Sequence, residues 1–162
     1  MKVLGFIAVF ALALVAIVVL VGQLGWLRGP EPSDLGVQQG RLKAPSLSPN
    51  SVSSQADLYP GHPQQSYARI TPLRFQDPPD QAMQRLVAVL QAQERTVLVQ
   101  QTPDYVYAQS QSALLKFTDD VEFWLERPAG VIQVRSASRL GRSDLGVNRA
   151  RVESIRAQFE KN

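Results

Sequence analysis

Cysteine is absent from the 162-residue chain, and histidine occurs once, as His62. A chain without cysteine forms no disulfide, binds no metal through thiolates and has no cysteine nucleophile. A single histidine also argues against a histidine-rich zinc or iron site. We therefore expect neither a metal site nor a bound cofactor.

The chain also has little excess of charge of either sign, because its formal net charge is only +3. The segment from Arg135 to Asn162 has seven Lys/Arg against three Asp/Glu, whereas Arg28 to Val134 has nine against eleven. The small total does not indicate a nucleic-acid partner. The basic character is concentrated at the C-terminal end.

One long apolar run is present near the N-terminus. Val3 to Leu24 carries no charge, and fifteen of its twenty-two residues are Val, Leu, Ile or Phe. As a helix this run reaches roughly 33 Å, enough to span a hydrocarbon core of about 30 Å. Trp26 and Arg28 follow where a membrane interface is expected. Residues 1–27 therefore predict a single transmembrane anchor, since a cleaved signal peptide has a shorter apolar core and Leu20-Val21-Gly22 is a poor cleavage site.

The orientation of this anchor is less strongly marked. The positive-inside count does not favour a cytoplasmic N-terminus, because Arg28, Arg41 and Lys43 follow the span. An uncleaved signal-like start nevertheless commonly places the following domain outside, on the periplasmic or extracytoplasmic side.

Residues 28–66 contain six prolines and show no apolar periodicity. We predict a linker over residues 28–43 and one domain over residues 44–162.

The residue pattern of this domain predicts an α+β fold: an antiparallel sheet of five or six short strands with two helices on one face. Met83, Leu86, Val87 and Leu90 follow helical spacing and define the core-facing side of the first helix. The expected elements are a strand at Tyr67–Phe75, a helix at Asp80–Gln93, strands at Thr96–Gln101, Tyr105–Ser110, Ala113–Thr118, Val121–Glu126 and Val131–Ser138, and a helix at Asn148–Gln158 capped by Asn148.

Alternation along the fourth of the five strands after the first helix predicts one dry and one wet sheet face. Apolar residues alternate with Glu122, Trp124 and Glu126 between positions 121 and 126. Asp119-Asp120 and Pro128-Ala129-Gly130 supply the expected turns on either side.

Two motifs resemble a known family. The run Arg135 to Arg149, RSASRLGRSDLGVNR, is preceded by the segment DDVEF at 119–123, and Ser48 to Ser54 forms an earlier motif, SPNSVSS. Together they resemble the bacterial and plastid family named domain of unknown function 1499, over most of residues 35–160. The resemblance implies membrane or envelope association and supplies no activity.

The chain departs from that family in its lack of cysteine. Members often carry two cysteines around the Pro-Asn segment, and Pro45 and Ser51 stand at the corresponding positions here. A redox or metal role that depends on those cysteines does not transfer to this cysteine-free variant.

The segment from Arg135 to Arg151 is the most function-like part of the chain. If the last strand continues into a Gly-rich loop and then a helix, arginine forks, serine hydroxyls and helix N-terminal amides converge, a combination that suits a carboxylate or phosphate group. The predicted ligand-binding residues are Arg135, Ser136, Ser138, Arg139, Arg142, Asp144, Asn148 and Arg149, with Asn50, His62, Asp119 and Asp120 as secondary candidates.

A purely structural role for this corner is the alternative. Arg139 and Arg142 would then pair with Asp144, Asp119 or Asp120, and the glycines of the loop would supply positive-φ turn positions.

Three other chemistries are weaker. A serine hydrolase would pair His62 with Ser51, Ser53 or Ser54, but the chain has no Gly-x-Ser-x-Gly elbow. The sequence also offers a divalent-cation site and a platform that stacks single-stranded nucleic acid. The residues in question are Asp119, Asp120 and Glu122 for the cation, and Tyr105, Tyr107 and Trp124 for the platform.

The function we expect is that of a membrane-anchored envelope protein. Its domain would be a non-enzymatic module that binds an anionic small molecule, a lipid headgroup or an envelope protein through the Arg/Ser/Gly-rich corner. The alternative is a hydrolase that uses a Ser/His62 pair.

Overall fold

A computed structural model describes residues 2–161 of the chain. Its first element, α1, spans Lys2–Gln23. Residues Gly5–Gln23 have a mean hydropathy of 3.0 and lie almost wholly outside the packed part of the protein. The helix is therefore long and apolar enough to cross a membrane, as predicted, although a signal sequence at this position would meet the same test.

The remaining elements form the α+β domain that the sequence predicts. The strands are β1 (Ser51–Ser53), β2 (Leu73–Arg74), β3 (Thr96–Gln101), β4 (Tyr105–Gln111), β5 (Thr118–Glu126) and β6 (Val131–Ser138). The helices after α1 are α2 (Gln65–Ala68), α3 (Pro79–Gln91) and α4 (Val147–Phe159), with 3-10 turns at Ala56–Leu58 and Arg127–Ala129. All strand pairs are antiparallel in the order β1-β6-β5-β4-β3, and β2 pairs with β6 as well.

The main core lies between one face of this sheet and helices α3 and α4. Leu86 of α3, Phe159 of α4 and Phe123 of β5 are each 0% exposed. Pro79 opens α3 in its first turn, where a missing N–H breaks no helical hydrogen bond, and Asp80 complements the helix dipole there. The predicted apolar helix faces and the two-helix arrangement are confirmed.

Two predicted strands are wrong. The range Tyr67–Phe75 begins with the last two residues of the short helix α2 and contains only a two-residue strand, β2. Residues Ala113–Phe117 form the loop of the β4–β5 hairpin, closed by hydrogen bonds between Ser112 and Phe117 and turned by Lys116 at φ 56°. The strand β5 begins at Thr118, so Asp119-Asp120 is part of a strand and not the predicted turn. The predicted turn before β6 is confirmed, with Gly130 at φ 64°.

The second face of the sheet is covered by the chain between α1 and β1. We call residues 30–46 the strap. Leu42 of the strap is 1% exposed and packs with Tyr105 and Tyr107, while its backbone N–H donates to Gln55 Oε1 at 2.8 Å. The Gly36 N–H donates to Glu122 Oε1 at 2.8 Å. Residues of the predicted linker therefore contact the sheet, and the division of the chain at residue 44 stays a prediction.

The strap also explains why the prediction of a solvent-exposed sheet face is wrong at Glu122. This side chain follows the predicted alternation and points away from the helices, yet it is 0% exposed. Alternation along a strand shows which side chains share a face but does not show whether another segment covers it.

Candidate functional site

Charged and phenolic side chains form a buried cluster beneath the strap, which we call the strap-face network. It contains two ion pairs: Arg135 Nη1 lies 3.3 Å from Glu122 Oε2, and Arg139 binds both oxygens of Asp120 through Nε and Nη2, with a shortest distance of 2.7 Å. Two tyrosines complete the cluster. The Tyr105 hydroxyl donates to Glu122 at 2.8 Å, and the Tyr107 hydroxyl donates to Asp120 at 2.5 Å.

Strand register places these groups together. Glu122 lies opposite Arg135 on β6 and opposite Tyr107 on β4, so the three side chains emerge on one face of three adjacent strands. Asp120 lies two residues before Glu122 and so shares that face. The network is thus a direct consequence of period-two spacing along β4, β5 and β6.

Burial and hydrogen bonding shift the pKa values of titratable groups in the network. Burial, together with the hydrogen bond to Asp120, raises the pKa of Tyr107 to about 12. Burial and the neighbouring Glu122 also raise the pKa of Tyr105 above its usual range. The hydrogen bonds to Asp120 raise the pKa of Arg139. Both tyrosines are therefore protonated donors at neutral pH, and Arg139 keeps its charge.

A cavity of about 340 Å³ opens between the strap and the end of β6, and we call it the strap cleft. Its charged lining residues are Lys43, Asp120, Arg135 and Arg139. Arg135 uses Nη1 for Glu122 and Nε for the carbonyl of Ala44, and Arg139 uses Nε and Nη2. Within residues 2–161, Arg135 Nη2 and Arg139 Nη1 make no hydrogen bond, so each guanidinium has a donor group left for a ligand in the cleft.

A second buried cluster, the corner network, lies on the helix side of the same strand ends. Asn148 is its centre and is 0% exposed. Its Oδ1 accepts from Ser136 Oγ at 2.5 Å, and its Nδ2 donates to Ser138 Oγ at 3.0 Å and to Asp144 Oδ2 at 2.9 Å. Asn148 is therefore not the predicted cap of α4, because its side chain is turned inward and the helix begins at Val147.

Asp144 takes over the role expected of the cap. Its carboxylate accepts the backbone N–H groups of Gly146 and Asn148 at 3.1 and 3.0 Å, and it also accepts the Tyr67 hydroxyl. Burial by itself would raise the pKa of Asp144, but the hydrogen bonds from Tyr67, Asn148 and the backbone outweigh it and hold the pKa below its usual value. An ionised carboxylate thus anchors the turn that leads into α4.

Arg151 completes the corner network; it lies at the end of the segment singled out from the sequence but was not among the predicted ligand-binding residues. It pairs with Asp119 at 2.5 Å and donates to Asn148 Oδ1 at 2.9 Å. The signal that the sequence offers is its spacing from Asn148, since residues three apart on a helix share a face. Asn50 donates to the carbonyl of Gly141 at 2.7 Å, while its buried Oδ1 has no partner in the described part of the chain.

The predicted ligand-binding residues thus do not converge on one site. Arg135 and Ser136 are consecutive on β6 and point to opposite faces, toward the strap and toward α4 respectively. Arg149 donates to the carbonyl of Tyr67 at 2.5 Å. Arg142 is exposed and forms no ion pair within residues 2–161. Of the pairs that the structural alternative proposed, Arg139 with Asp120 is present and none involves Arg142.

The hydrolase arrangement is not formed. His62 Nδ1 accepts the backbone N–H of Gln64 at 3.1 Å. Ser51 Oγ accepts the N–H of Ser46, and Ser54 Oγ bonds to Gln133 on β6. These serines face the sheet and the strap, so the predicted Ser/His62 pair lacks the hydrogen bond that a nucleophile and its base require.

The other two chemistries also fail on geometry. Asp119 faces α4 while Asp120 and Glu122 face the strap, and no group of three acidic or histidine ligands gathers within residues 2–161. Tyr105 and Tyr107 are 8% and 5% exposed beneath the strap, so their rings offer no open surface for stacking a base.

The fold and the two networks define an α+β domain with an antiparallel sheet, one apolar N-terminal helix and polar clusters held on both sides of the same strand ends. A family model described as "Protein of unknown function (DUF1499)" matches residues 41–159, and the chain belongs to this family. The family prediction is therefore confirmed. No curated protein and no solved structure matches the chain.

Proposed function

We propose that this protein is a single-pass, membrane-anchored envelope protein whose domain binds a phosphate or carboxylate group in the strap cleft without catalysing a reaction. In this proposal α1 is the retained anchor and the domain lies on the extracytoplasmic side. One observation carries the binding site: two nearly buried arginines and Lys43 line a cavity of about 340 Å³.

The arginines suit this role because they are already oriented. Glu122 and Asp120 hold the two guanidinium groups, and each group keeps one Nη atom that has no hydrogen-bond partner among residues 2–161. A fixed guanidinium loses little conformational entropy when it binds an anion, and its planar fork matches carboxylate and phosphate oxygens. Lys43, which pairs with Asp34 outside the lining of the cleft, adds a third positively charged donor, and Asp120 is the acidic side chain that lines the cleft.

The position of the cleft favours a ligand that comes from the membrane side. Gly29, six residues after the end of α1, packs so closely on Arg139 that a Cβ atom added there would lie 2.9 Å from Arg139 Cβ. A lipid phosphate near the exit of the anchor is therefore one source of the ligand, and a soluble anion is the other. Both present the same oxygens to the cleft.

The test uses the full chain in nanodiscs of phosphatidylcholine, titrated with inorganic phosphate and separately with succinate, with binding measured by calorimetry and by the thermal unfolding midpoint. Lys43→Gln is the variant of choice. Its pair with Asp34 is partly exposed, at 35% and 57% of the two side chains, so its loss costs about 0–1 kcal/mol and the domain stays folded. We expect the variant to bind the anion roughly three- to ten-fold more weakly, which corresponds to about 0.7–1.4 kcal/mol.

Lys161→Gln is the matched control, because it makes the same charge change on an exposed residue of the C-terminus. Its affinity should equal that of the parent chain. A second set of nanodiscs containing phosphatidylglycerol separates the two sources: if the ligand is a lipid phosphate, these discs stabilise the parent more than Lys43→Gln with no anion added. Absence of binding in every arm, or equal losses in both lysine variants, would refute the cleft as an anion site.

A further inference from the structure

Exposed apolar side chains gather at one end of the domain, on the hairpin loop 112–117 and on residues 139–147, which are the loop after β6 and the first residue of α4. Leu114 is 59% exposed, Leu145 92% and Val147 51%. Leu145 and Val147 share the lining of a cavity of about 300 Å³ with Phe117, so the two loops form one continuous surface. We call this surface the apolar end.

The apolar end lies beside the last turn of α1. Gln23 Nε2 donates to the carbonyl of Leu114 at 2.9 Å. Gly22 approaches the same loop so closely that an added Cβ atom would lie 2.7 Å from the carbonyl oxygen of Leu115. A helix that spans a bilayer from Lys2 to Gln23 therefore brings loop 112–117 to the depth where the hydrocarbon core meets the headgroups.

Leu145 is not explained by the fold. It has φ 51°, a left-handed conformation that is unfavourable for leucine and that glycine or asparagine adopts more readily. At 92% exposure its side chain gains almost nothing from packing. An apolar side chain held in this conformation and directed to solvent is most simply accounted for by a surface outside the protein.

The charges around the apolar end fit an anionic membrane. Lys116 and Arg142 are the basic residues nearest the exposed leucines on the two loops, and Arg142 is exposed. The acidic residues beside them, Asp119 and Asp144, are buried and bonded to Arg151 and Tyr67. The end of the domain that faces the anchor thus presents apolar and basic groups together, the combination found in segments that bind membrane interfaces.

We propose that the apolar end inserts into the interface of the same bilayer that α1 spans, so that the domain lies against the membrane at two points. The occupant of this surface is the lipid bilayer. The inference rests on the anchoring role of α1 proposed above and is independent of the strap cleft. It also gives the close contact between α1 and loop 112–117 a purpose, because that contact sets the height of the domain above the membrane.

The absence of cysteine allows a clean test with single labels. Ala13→Cys, Ala113→Cys and Ala129→Cys introduce the same change at exposed alanines in α1, in the hairpin loop and in the turn after β5. The nine residues of β5 separate positions 113 and 129 by roughly 30 Å. Each variant carries an environment-sensitive fluorophore in nanodiscs that hold one full-length chain, and quenching by nitroxide-labelled lipids is measured.

We expect strong quenching at positions 13 and 113 and several-fold weaker quenching at position 129. Failure at position 13 would refute the anchor itself, whereas quenching at 13 without quenching at 113 would refute only the docking of the apolar end. Asparagine at both Leu114 and Leu145, added to Ala113→Cys, should reduce quenching at 113, because the apolar side chains proposed to enter the lipid are removed. The domain should stay folded, since asparagine adopts the left-handed conformation of residue 145 more readily than leucine does.

Quenching at 113 that does not change in this double variant would show that the apolar side chains do not hold the domain on the lipid, and would overturn the proposal. A label at 113 that is shielded only in nanodiscs holding two chains would identify a second copy as the occupant, which would overturn it as well.

Discussion

Glu122→Ala should strongly destabilise the domain, although this glutamate occupies the side of the strand that its alternation marks as solvent-facing. Glu122 is 0% exposed and accepts three hydrogen bonds, from the backbone of Gly36, the hydroxyl of Tyr105 and Nη1 of Arg135. Its removal leaves Arg135, 4% exposed, as a buried charge without its counter-ion. Breaking a buried pair in this way costs about 3–5 kcal/mol, and we expect about 3 because the pair is already long at 3.3 Å.

Two further variants test the physical reason. Glu122→Gln keeps an acceptor oxygen for both Gly36 and Tyr105, which bond to Oε1, but removes the charge that pairs with Arg135, so a loss of about 2 kcal/mol is expected. The double variant Glu122→Leu with Arg135→Met removes both charges, and a buried pair replaced by apolar side chains is often neutral in stability. The double variant should therefore be more stable than Glu122→Ala.

The assay is urea unfolding of the full-length chain in detergent micelles. Trp124 packs beside Leu42 of the strap and reports on it by fluorescence, in a background where the exposed Trp26 is changed to Phe. A loss below about 1 kcal/mol for Glu122→Ala would mean that water reaches this face of the sheet and that the strap does not cover it.

Three further predictions concern the core and the two networks. Leu86→Ala, at a position that is 0% exposed, should lower the free energy of unfolding by about 2–5 kcal/mol in the same assay, while Leu86→Met should lower it by less than about 1.5 kcal/mol. Asn148→Ala should cost about 1–3 kcal/mol because it removes the acceptor of the buried Ser136 hydroxyl and one of the donors to Asp144, and a loss within about 0.5 kcal/mol would contradict the corner network. The pKa of Tyr107 is raised to about 12 in the folded protein, so the stability that its protonated hydroxyl contributes is complete below its ordinary pKa of 10.0 and is lost as the pH rises toward 12. Unfolding midpoints measured between these pH values should therefore fall more steeply for the parent than for Tyr107→Phe, and parallel curves would count against the buried hydroxyl.

Much of the fold was predictable because its signals are local. The apolar run of α1 and the helical spacing of Met83, Leu86 and Leu90 each depend on neighbours within a few residues. The bounds of β3 and β6 agree with the predicted strands at Thr96–Gln101 and Val131–Ser138. The hairpin loop 112–117 was missed because its apolar residues continue the pattern of a strand, and only the left-handed turn at Lys116 breaks it.

The candidate site was predictable only in part. The sequence identified the segment 135–149 and the pairing of Arg139 with an aspartate, but it treated the segment as a single convergent corner. The structure divides those residues between two faces of β6, and it adds Arg151 from the next helix. Which residues meet depends on strand register and on the docking of α4, neither of which is encoded in a short motif.

The sequence by itself determined which stretch is suited to lipid, which stretches form strands and helices, and which side chains share a face, because each follows from the chemistry and spacing of nearby residues. The tertiary structure alone decided which face is covered. Gly36 and Glu122 lie 86 residues apart, and their hydrogen bond turns a row of charges expected in water into a buried network. Burial depends on the whole packed chain. The electrostatic interactions among these charges therefore become strong only when the strap lies on the sheet and keeps water away from them.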